Sequence, residues 1–186
     1  ALQSGLELYR NTYSQKWHAE LGKKIGLTRV EQEDKTLFEG MLSVLQATET
    51  DWTLFFRLLA KIKLSEKTPA FSEACKTLEP AFYGSVKGNE NYKSLLEDWL
   101  QRYHKRISRE MTNQREREKL MNSVNPKFIL RNYVTQIAID EASEGNYSTL
   151  NELLDILKTP FSENIESIYE ETKQDNSGAV SYTHLT

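Results

Sequence analysis

The chain has 186 residues, with 24 Lys and Arg against 27 Asp and Glu, and this slight acidic excess argues against a polycation built to wrap nucleic acid. Its one cysteine excludes an internal disulfide framework, and no apolar run reaches the ~18 residues that a membrane-spanning helix needs. Because 8 Gly and 4 Pro are few for this length, turn-rich sandwiches and barrels are excluded, and one all-α domain is expected.

Three helices are predicted in the first third of the chain. The second is predicted over residues 31–47, where an acidic first turn suits the positive end of the helix dipole. Thr50 or Asp51 should cap the third, over residues 52–62, whose apolar residues go most of the way round and predict deep burial. The first is predicted over residues 2–22, with a stripe at helical spacing that should be buried: Leu2, Leu6, Tyr9, Tyr13, Trp17 and Leu21.

The middle of the chain is predicted to contain short helices followed by one long helix. Prolines and glycines within residues 63–89 divide that stretch into one or two short helices. The helix that follows, over residues 90–107, continues into a basic segment, Arg102 to Lys119. It has an apolar stripe made of Tyr92, Leu95, Leu96, Trp99, Tyr103 and Ile107.

Two further helices are predicted near the end of the chain. Asn125 is expected to cap the first, because Pro126 fits the first helical position, where its missing N–H leaves no partner unpaired. This helix should run to Glu144, with Gly145 following in left-handed geometry. A capping-box spacing from Thr149 to Glu152 predicts the start of the last helix, and Pro160 ends it.

Both termini have unusual sequences. The run from Val180 to Leu185 resembles one reading frame of the transposon mosaic end that is used to prepare sequencing libraries. We therefore expect residues 179–186 to be a non-native, adapter-derived tail and residues 1–178 to form the helical region. An ordinary disordered terminus is the alternative. At the other end the apolar stripe begins without a cap residue, which favours a chain that starts within an element.

Patterns that carry catalysis or bind metal are missing from the sequence. His18 has no Cys or His one helical turn further on, and His184 falls in the expected tail. Cys75 has only Lys76 as a basic neighbour, which favours a buried structural thiol. The run from Gly84 to Gly88 lacks the spacing of a phosphate-binding loop. We predict no catalytic, cofactor-binding or metal-ligating residue in this chain.

Two polar groups nevertheless need an explanation. The basic segment Arg102 to Lys119 could bind phosphate groups, although its interleaved glutamates favour a solvated helix face. The second group shares one face of the helix predicted from Pro126, and apolar neighbours on that face indicate that it is covered. Covered polar groups must be hydrogen-bonded, so a buried network toward a neighbouring domain is favoured over a ligand contact. This second group consists of Arg131, Asn132, Thr135 and Gln136.

Three segments of the chain carry motifs of one known family. Residues 121–133, MNSVNPKFILRNY, resemble the signature M-N-x-x-N-P-x-x-x-L-R-N-Y near the C-terminus of the SelO family, whose members are also called YdiU. Residues 51–59, DWTLFFRLL, resemble its D-x-T-x-x-F-R-x-L helix, and Trp17 with residues 24–27, KIGL, resembles the W…K-L-G-L that comes before. The likeness extends in order over roughly residues 1–161.

The resemblance implies a protein-kinase-like (pseudokinase) fold and a protein adenylyltransferase, which moves AMP from ATP to Ser, Thr or Tyr hydroxyls of proteins. ATP and Mg²⁺ or Mn²⁺ are bound by the N-terminal part of such proteins, so no site residue is carried over to this chain. The chain is then expected to be a catalytically silent C-terminal helical fragment. Its partners would be the missing catalytic lobe in cis and protein substrates, with no nucleic acid and no membrane, in the cytoplasm if the source is bacterial.

The chain departs from the family pattern at its end, and two other classes stay open. The terminal Cys or selenocysteine of the family is missing, and residues 166–178 match weakly, which puts redox regulation in doubt. One alternative is a free-standing helical protein-interaction module, favoured if an in-frame Met lies just before Ala1. The other is a nucleic-acid-binding helix centred on residues 102–119, whose affinity would fall steeply with salt.

Overall fold

The computed structural model describes residues 2–64, 71–83, 88–110 and 113–163, and the regular elements in these ranges are helices. One isolated antiparallel bridge, between Thr50 and Phe82, is the β pairing found there. The predicted all-α class is therefore confirmed for these ranges. None of the helices in them is both long enough and apolar enough to cross a membrane. The boundary predicted between residues 178 and 179 lies outside the described residues.

The chain divides into two compact units, residues 1–125 and residues 126–186. In unit 1, α2 packs against α5, and α3 packs against α4 and α6. A short 3₁₀ turn, Glu79–Ala81, follows α4. The helices described in unit 1 are α1 (Leu2–Lys24), α2 (Asp34–Gln46), α3 (Trp52–Lys61), α4 (Phe71–Leu78), α5 (Glu90–Ile107) and α6 (Gln114–Val124); those described in unit 2 are α7 (Asn132–Ser143) and α8 (Ser148–Lys158).

The core of unit 1 forms around the apolar face of α5, as its spacing predicts. Trp99 and Tyr103 are fully buried with stacked rings whose centroids lie 5.0 Å apart, and Trp99 Nε1 donates to the carbonyl of Leu37 at 3.1 Å. Burial of a large apolar side chain contributes about 1.5–3 kcal/mol relative to exposure. The stripe is confirmed: Tyr92, Leu96, Trp99, Tyr103 and Ile107 are buried, and Leu95 packs against them.

The third helix begins as predicted but is less deeply buried than predicted. Asp51 caps it, because its Oδ1 accepts a hydrogen bond from the backbone N–H of Leu54 at 3.0 Å. Phe55 and Phe56 are buried, whereas Trp52 is 42% exposed. The helix therefore has one face in the core and is not buried all the way round.

The predicted burial of the stripe on α1 is confirmed for Leu21 and wrong for Leu6, Tyr9, Tyr13 and Trp17, while the side chain of Leu2 lies outside the described ones. Every side chain described from residue 3 to residue 17 is exposed, and burial begins only at Leu21. The reason is geometric: α1 meets α2 and α6 near its C-terminal end, so its earlier turns extend past the core of unit 1.

The long helix predicted from Asn125 to Glu144 is also wrong. Asn125 has extended backbone angles (φ −105°, ψ 109°), as the residue before a proline usually does. Its side-chain Nδ2 donates to the carbonyls of Met121 and Lys24, both at 2.9 Å. Asn125 thus closes the end of α6 instead of opening a helix, and α7 begins at Asn132. The predicted end is confirmed, since Gly145 follows α7 in left-handed geometry (φ 86°).

Two helix starts differ from the prediction: α6 was not separated from the basic segment, and the start of α8 was placed too late. A capping box opens α6: Asn113 Oδ1 accepts from the N–H of Glu116 at 3.0 Å, and Glu116 Oε2 accepts from that of Asn113 at 3.1 Å. The last helix begins at Ser148, and the capping box predicted from Thr149 does not form. Thr149 Oγ1 instead donates to Glu141 Oε2 at 2.6 Å, which ties α8 to α7.

Arg117 is the most deeply buried charged side chain among the described residues of unit 1, with 1% of its surface exposed, and it joins three helices. Its guanidinium donates to the carbonyls of Ala60 (3.1 Å) and Ile62 (2.7 Å), at the C-terminal end of α3, where the helix dipole favours a cation. It also donates to the Tyr103 hydroxyl on α5 at 3.0 Å. Gly26 leaves room for it: Gly26 has φ +83°, and a Cβ there would lie 2.7 Å from Arg117 Cγ.

Arg117→Met is expected to lower the free energy of unfolding by about 2–4 kcal/mol, because buried acceptors lose their donors. Arg115→Met on the exposed side of α6 is the matched control and should stay within about 0.5 kcal/mol of wild type. Urea denaturation followed by circular dichroism measures both. Equal midpoints for the two variants would contradict this role of Arg117.

Candidate functional site

The basic segment, Arg102 to Lys119, has some of its charged side chains in the interior and others on the surface. Arg106 and Arg117 are buried, while Arg102 pairs with Asp98 at 2.6 Å on the surface of α5. Lys105, Arg109, Arg115 and Lys119 are exposed. Residues 111 and 112 lie outside the described ranges. The described part of the segment is thus neither a fully solvated helix face nor a continuous phosphate-binding stripe.

Arg106 is held between two carboxylates at the C-terminal end of α5. Its Nε and Nη2 donate to Asp34 at 2.7 and 3.2 Å, and its Nη1 donates to Glu110 at 2.7 Å. Nη2 also donates to the carbonyl of Arg29 at 2.7 Å. On the other side, the backbone N–H and hydroxyl of Thr28 donate to Glu110 Oε2. This network fastens the loop between α1 and α2 to the end of α5.

This network favours the ionised states of Arg106 and Glu110. Burial opposes the charge on Arg106, but hydrogen bonds to Asp34 and Glu110 outweigh that effect and raise its pKa. Burial also opposes the charge on Glu110, but hydrogen bonds from Thr28 and Arg106 outweigh it and lower the pKa of that carboxyl. General acid–base chemistry near neutral pH needs a pKa near 7, so this carboxylate is unsuited to it.

The three segments that carry the family resemblance meet in unit 1. Arg57, from residues 51–59, donates to the carbonyls of Asn125 (3.2 Å) and Asn122 (3.4 Å). Lys24, from residues 24–27, donates to Asn125 Oδ1 at 3.1 Å and lies 5.2 Å from the centre of the Phe56 ring. We call these contacts among Lys24, Arg57, Asn122 and Asn125 the motif junction.

The chemistry of the motif junction is that of a structural joint. Asn125 Oδ1 accepts a hydrogen bond from the Lys24 ammonium group, and Asn125 Nδ2 donates one to the Lys24 carbonyl, so a single side chain fixes the end of α1 to the end of α6. Burial lowers the pKa of Lys24, and nearby Glu20 partly offsets that change. This role of Arg57 was not predicted, although the sequence contains one signal for it. An arginine inside the apolar run LFFRLL needs buried acceptors.

The polar group predicted on α7 does not form a buried network within unit 2. Asn132 and Gln136 are exposed, and Gln136 Nε2 donates to Asp140 at 2.7 Å along the same helix. Thr135 Oγ1 donates to the carbonyl of Arg131 at 3.1 Å, and Arg131 stands at the N-cap position instead of inside a helix. The four residues do not share one helix face as predicted, because α7 starts at Asn132 and Arg131 precedes it. A contact of these residues with a neighbouring domain stays a prediction.

The remaining candidate residues lie apart from one another. His18 is half-buried and its ring stacks on Phe38 with centroids 5.6 Å apart, which places it at the edge of the core. The Cys75 side chain is half-buried, less than predicted. His184 lies outside the described residues. Within the described ranges, no three His, Cys, Asp or Glu side chains are grouped so that they could hold a metal ion.

Comparison with known proteins identifies the family. The family model for "Protein adenylyltransferase SelO" matches residues 1–158. A "Protein nucleotidyltransferase YdiU" from Rhodopirellula baltica is 35% identical over an aligned length of 168 residues, and the alignment covers 86% of this chain and 31% of that protein. The protein of the same name from Aromatoleum aromaticum is 36% identical over 162 residues, 87% of this chain and 30% of that protein.

These matches show that the chain is a helical segment related to nucleotidyltransferases. It belongs to the SelO family, since the family model covers most of its length. The chain spans about 30% of the length of the curated relatives that it matches. The motif junction lies entirely within the matched residues.

Glu110→Gln is expected to lower the free energy of unfolding at pH 7 by about 1–3 kcal/mol, because Arg106 and Thr28 lose a charged acceptor. A carboxyl whose pKa is lowered by folding stabilises the protein above its unfolded value of about 4.3, and that stability is lost as the pH falls through the folded value. The difference between variant and wild type should therefore narrow as the pH falls below about 4.

Urea denaturation over a series of pH values measures this difference. Glu39→Gln removes an exposed carboxylate from the same unit and is the control, with a change of less than about 0.5 kcal/mol expected at every pH. A deficit for Glu110→Gln that stays constant from pH 7 to pH 2 would show that the charge of Glu110 is unimportant.

Proposed function

We propose that this chain is the C-terminal helical part of a SelO-type protein adenylyltransferase, and that its role in that protein is structural. The whole protein would have a kinase-like fold and transfer AMP from ATP to Ser, Thr or Tyr hydroxyls of proteins, in the cytoplasm if the source is bacterial. One observation carries the proposal: the adenylyltransferase family matches residues 1–158, although the chain spans only about 30% of its relatives.

The contacts of the motif junction support a structural role. Arg57, Lys24 and Asn125 use their polar atoms to hold helices of unit 1 together. Arg106 and Glu110 do the same at the C-terminal end of α5. Polar groups that are already paired inside a protein are poorly placed to bind a nucleotide, because binding would first break those bonds.

The described residues offer no group of three side chains that would hold Mg²⁺ or Mn²⁺ by itself. Mg²⁺ is usually bound through one or two carboxylates together with substrate phosphates, and within the described ranges no three His, Cys, Asp or Glu side chains are grouped where they could hold a metal ion. We therefore derive no catalytic step from these residues. In this proposal ATP and the metal are bound by the part of the relatives' length that this chain does not span.

The purified 186-residue chain is expected to give no saturable heat of binding when ATP and Mg²⁺ are titrated into it. The physical reason is that its charged side chains in the described ranges are paired internally or dispersed on the surface. Isothermal titration calorimetry measures this. A saturable isotherm with ATP would overturn the assignment of a purely structural role.

The activity of the whole protein is tested on the longer protein that contains this chain. It should transfer label to a protein substrate from ATP labelled at the α-phosphate, but not from ATP labelled at the γ-phosphate. Label from the γ-phosphate would instead indicate a kinase. If neither label is transferred and the chain occurs only as a separate protein, the free-standing interaction module becomes the better interpretation.

A further inference from the structure

The exposed part of α1 carries a row of one leucine and three aromatic side chains that no described residue covers. Leu6, Tyr9, Tyr13 and Trp17 are between 45% and 66% exposed. The rings of Tyr9 and Tyr13 stack with centroids 6.1 Å apart, and those of Tyr13 and Trp17 stack at 6.3 Å. We call these four side chains the aromatic ladder. They share one side of the helix because they recur at spacings of three and four residues.

The ladder is costly to leave in water. Exposed apolar patches of this kind usually mark an interaction surface, and a helix that extends beyond the core receives little support from packing. Isolated helices shorter than about 12–15 residues are marginal in water. Asn11 and Gln15, each two residues after a tyrosine of the ladder, are polar and lie on the opposite side of α1. That side also carries Leu8, which is 69% exposed, so the ladder is distinguished by its stacked rings and not by a purely apolar face.

The comparisons favour one occupant for this surface. The family match begins at residue 1, so the ladder lies within the region that defines the family. About two thirds of the length of each relative lies outside the aligned segment. We propose that the aromatic ladder is the surface on which α1 packs against the remaining part of the SelO-type protein, within the same polypeptide. This inference rests on the proposed function, because it needs a longer protein.

Photo-crosslinking in the longer protein tests the contact directly. The photoreactive residue p-benzoylphenylalanine replaces Tyr13, and in a matched control it replaces Gln15. We expect an efficient crosslink from position 13 to residues outside the 186-residue chain within one molecule, and little from position 15. A crosslink between two molecules would overturn the proposal in favour of a second copy. A crosslink to residues 126–186, or none, would overturn it as well.

A stability comparison provides a second test that does not depend on crosslinking chemistry. Tyr9→Ala with Tyr13→Ala should lower the melting temperature of the longer protein by about 3 °C or more, because buried rings are lost. In the 186-residue chain the same pair should change the melting temperature by less than about 1 °C, since both rings are exposed there. Asn11→Ala with Gln15→Ala is the matched control and should be near neutral in both. Equal effects of the two pairs in the longer protein would overturn the proposal.

The two proposals fail in distinguishable ways. A protein that transfers AMP but shows no crosslink from position 13 retains the proposed function and loses the ladder contact. A protein that crosslinks within one molecule but transfers no AMP retains the contact and loses the activity. A locus that encodes no further family segment overturns the contact, because the proposed occupant would not exist.

Discussion

A buried positive charge fixes the arrangement of unit 1. The acceptors of Arg117 described above are all neutral oxygens, so the charge is stabilised by carbonyl dipoles at the end of α3 and by hydrogen-bond geometry. Moving a guanidinium out of water costs several kcal/mol unless its donors are satisfied. Tyr103 extends the chain of bonds, since its hydroxyl accepts from Arg117 and donates to the carbonyl of Ile25 at 2.6 Å. Burial raises the pKa of Tyr103 against the opposing effect of Arg117, so the phenol keeps its proton.

The motif junction uses the same principle on another side of α3. Arg57 binds main-chain carbonyls at the end of α6, and Asn125 binds the end of α1. In both places a side chain satisfies carbonyls that a helix end leaves without an intrahelical partner. Three polar residues of the family segments, Lys24, Arg57 and Asn125, are therefore explained by the joining of helix ends.

Helices with a regular apolar stripe inside the core could be predicted from the sequence, whereas several helix ends could not. The face of α5 and the cap at Asp51 follow from local pattern. The pattern Asn125-Pro126 suits a helix start equally well, but tertiary bonds to Lys24 made Asn125 the end of α6. The stripe on α1 has helical spacing and yet lies exposed, because spacing shows that a face is apolar and not what covers it. Arg57, Arg106 and Arg117 could not be placed, since their acceptors are distant in sequence.

The hydrogen bond from Asn125 to Lys24 joins residues that are 101 positions apart. Unit 1 therefore cannot close while it is being synthesised until its last helix has emerged. At about 5–20 residues per second, a ribosome needs roughly 5–20 seconds to make that intervening length. During this interval the apolar faces of α2, α3 and α5 lack the helix that Arg117 anchors. The architecture thus makes the final closure of unit 1 during synthesis a non-local step, of the kind that is slow in folding.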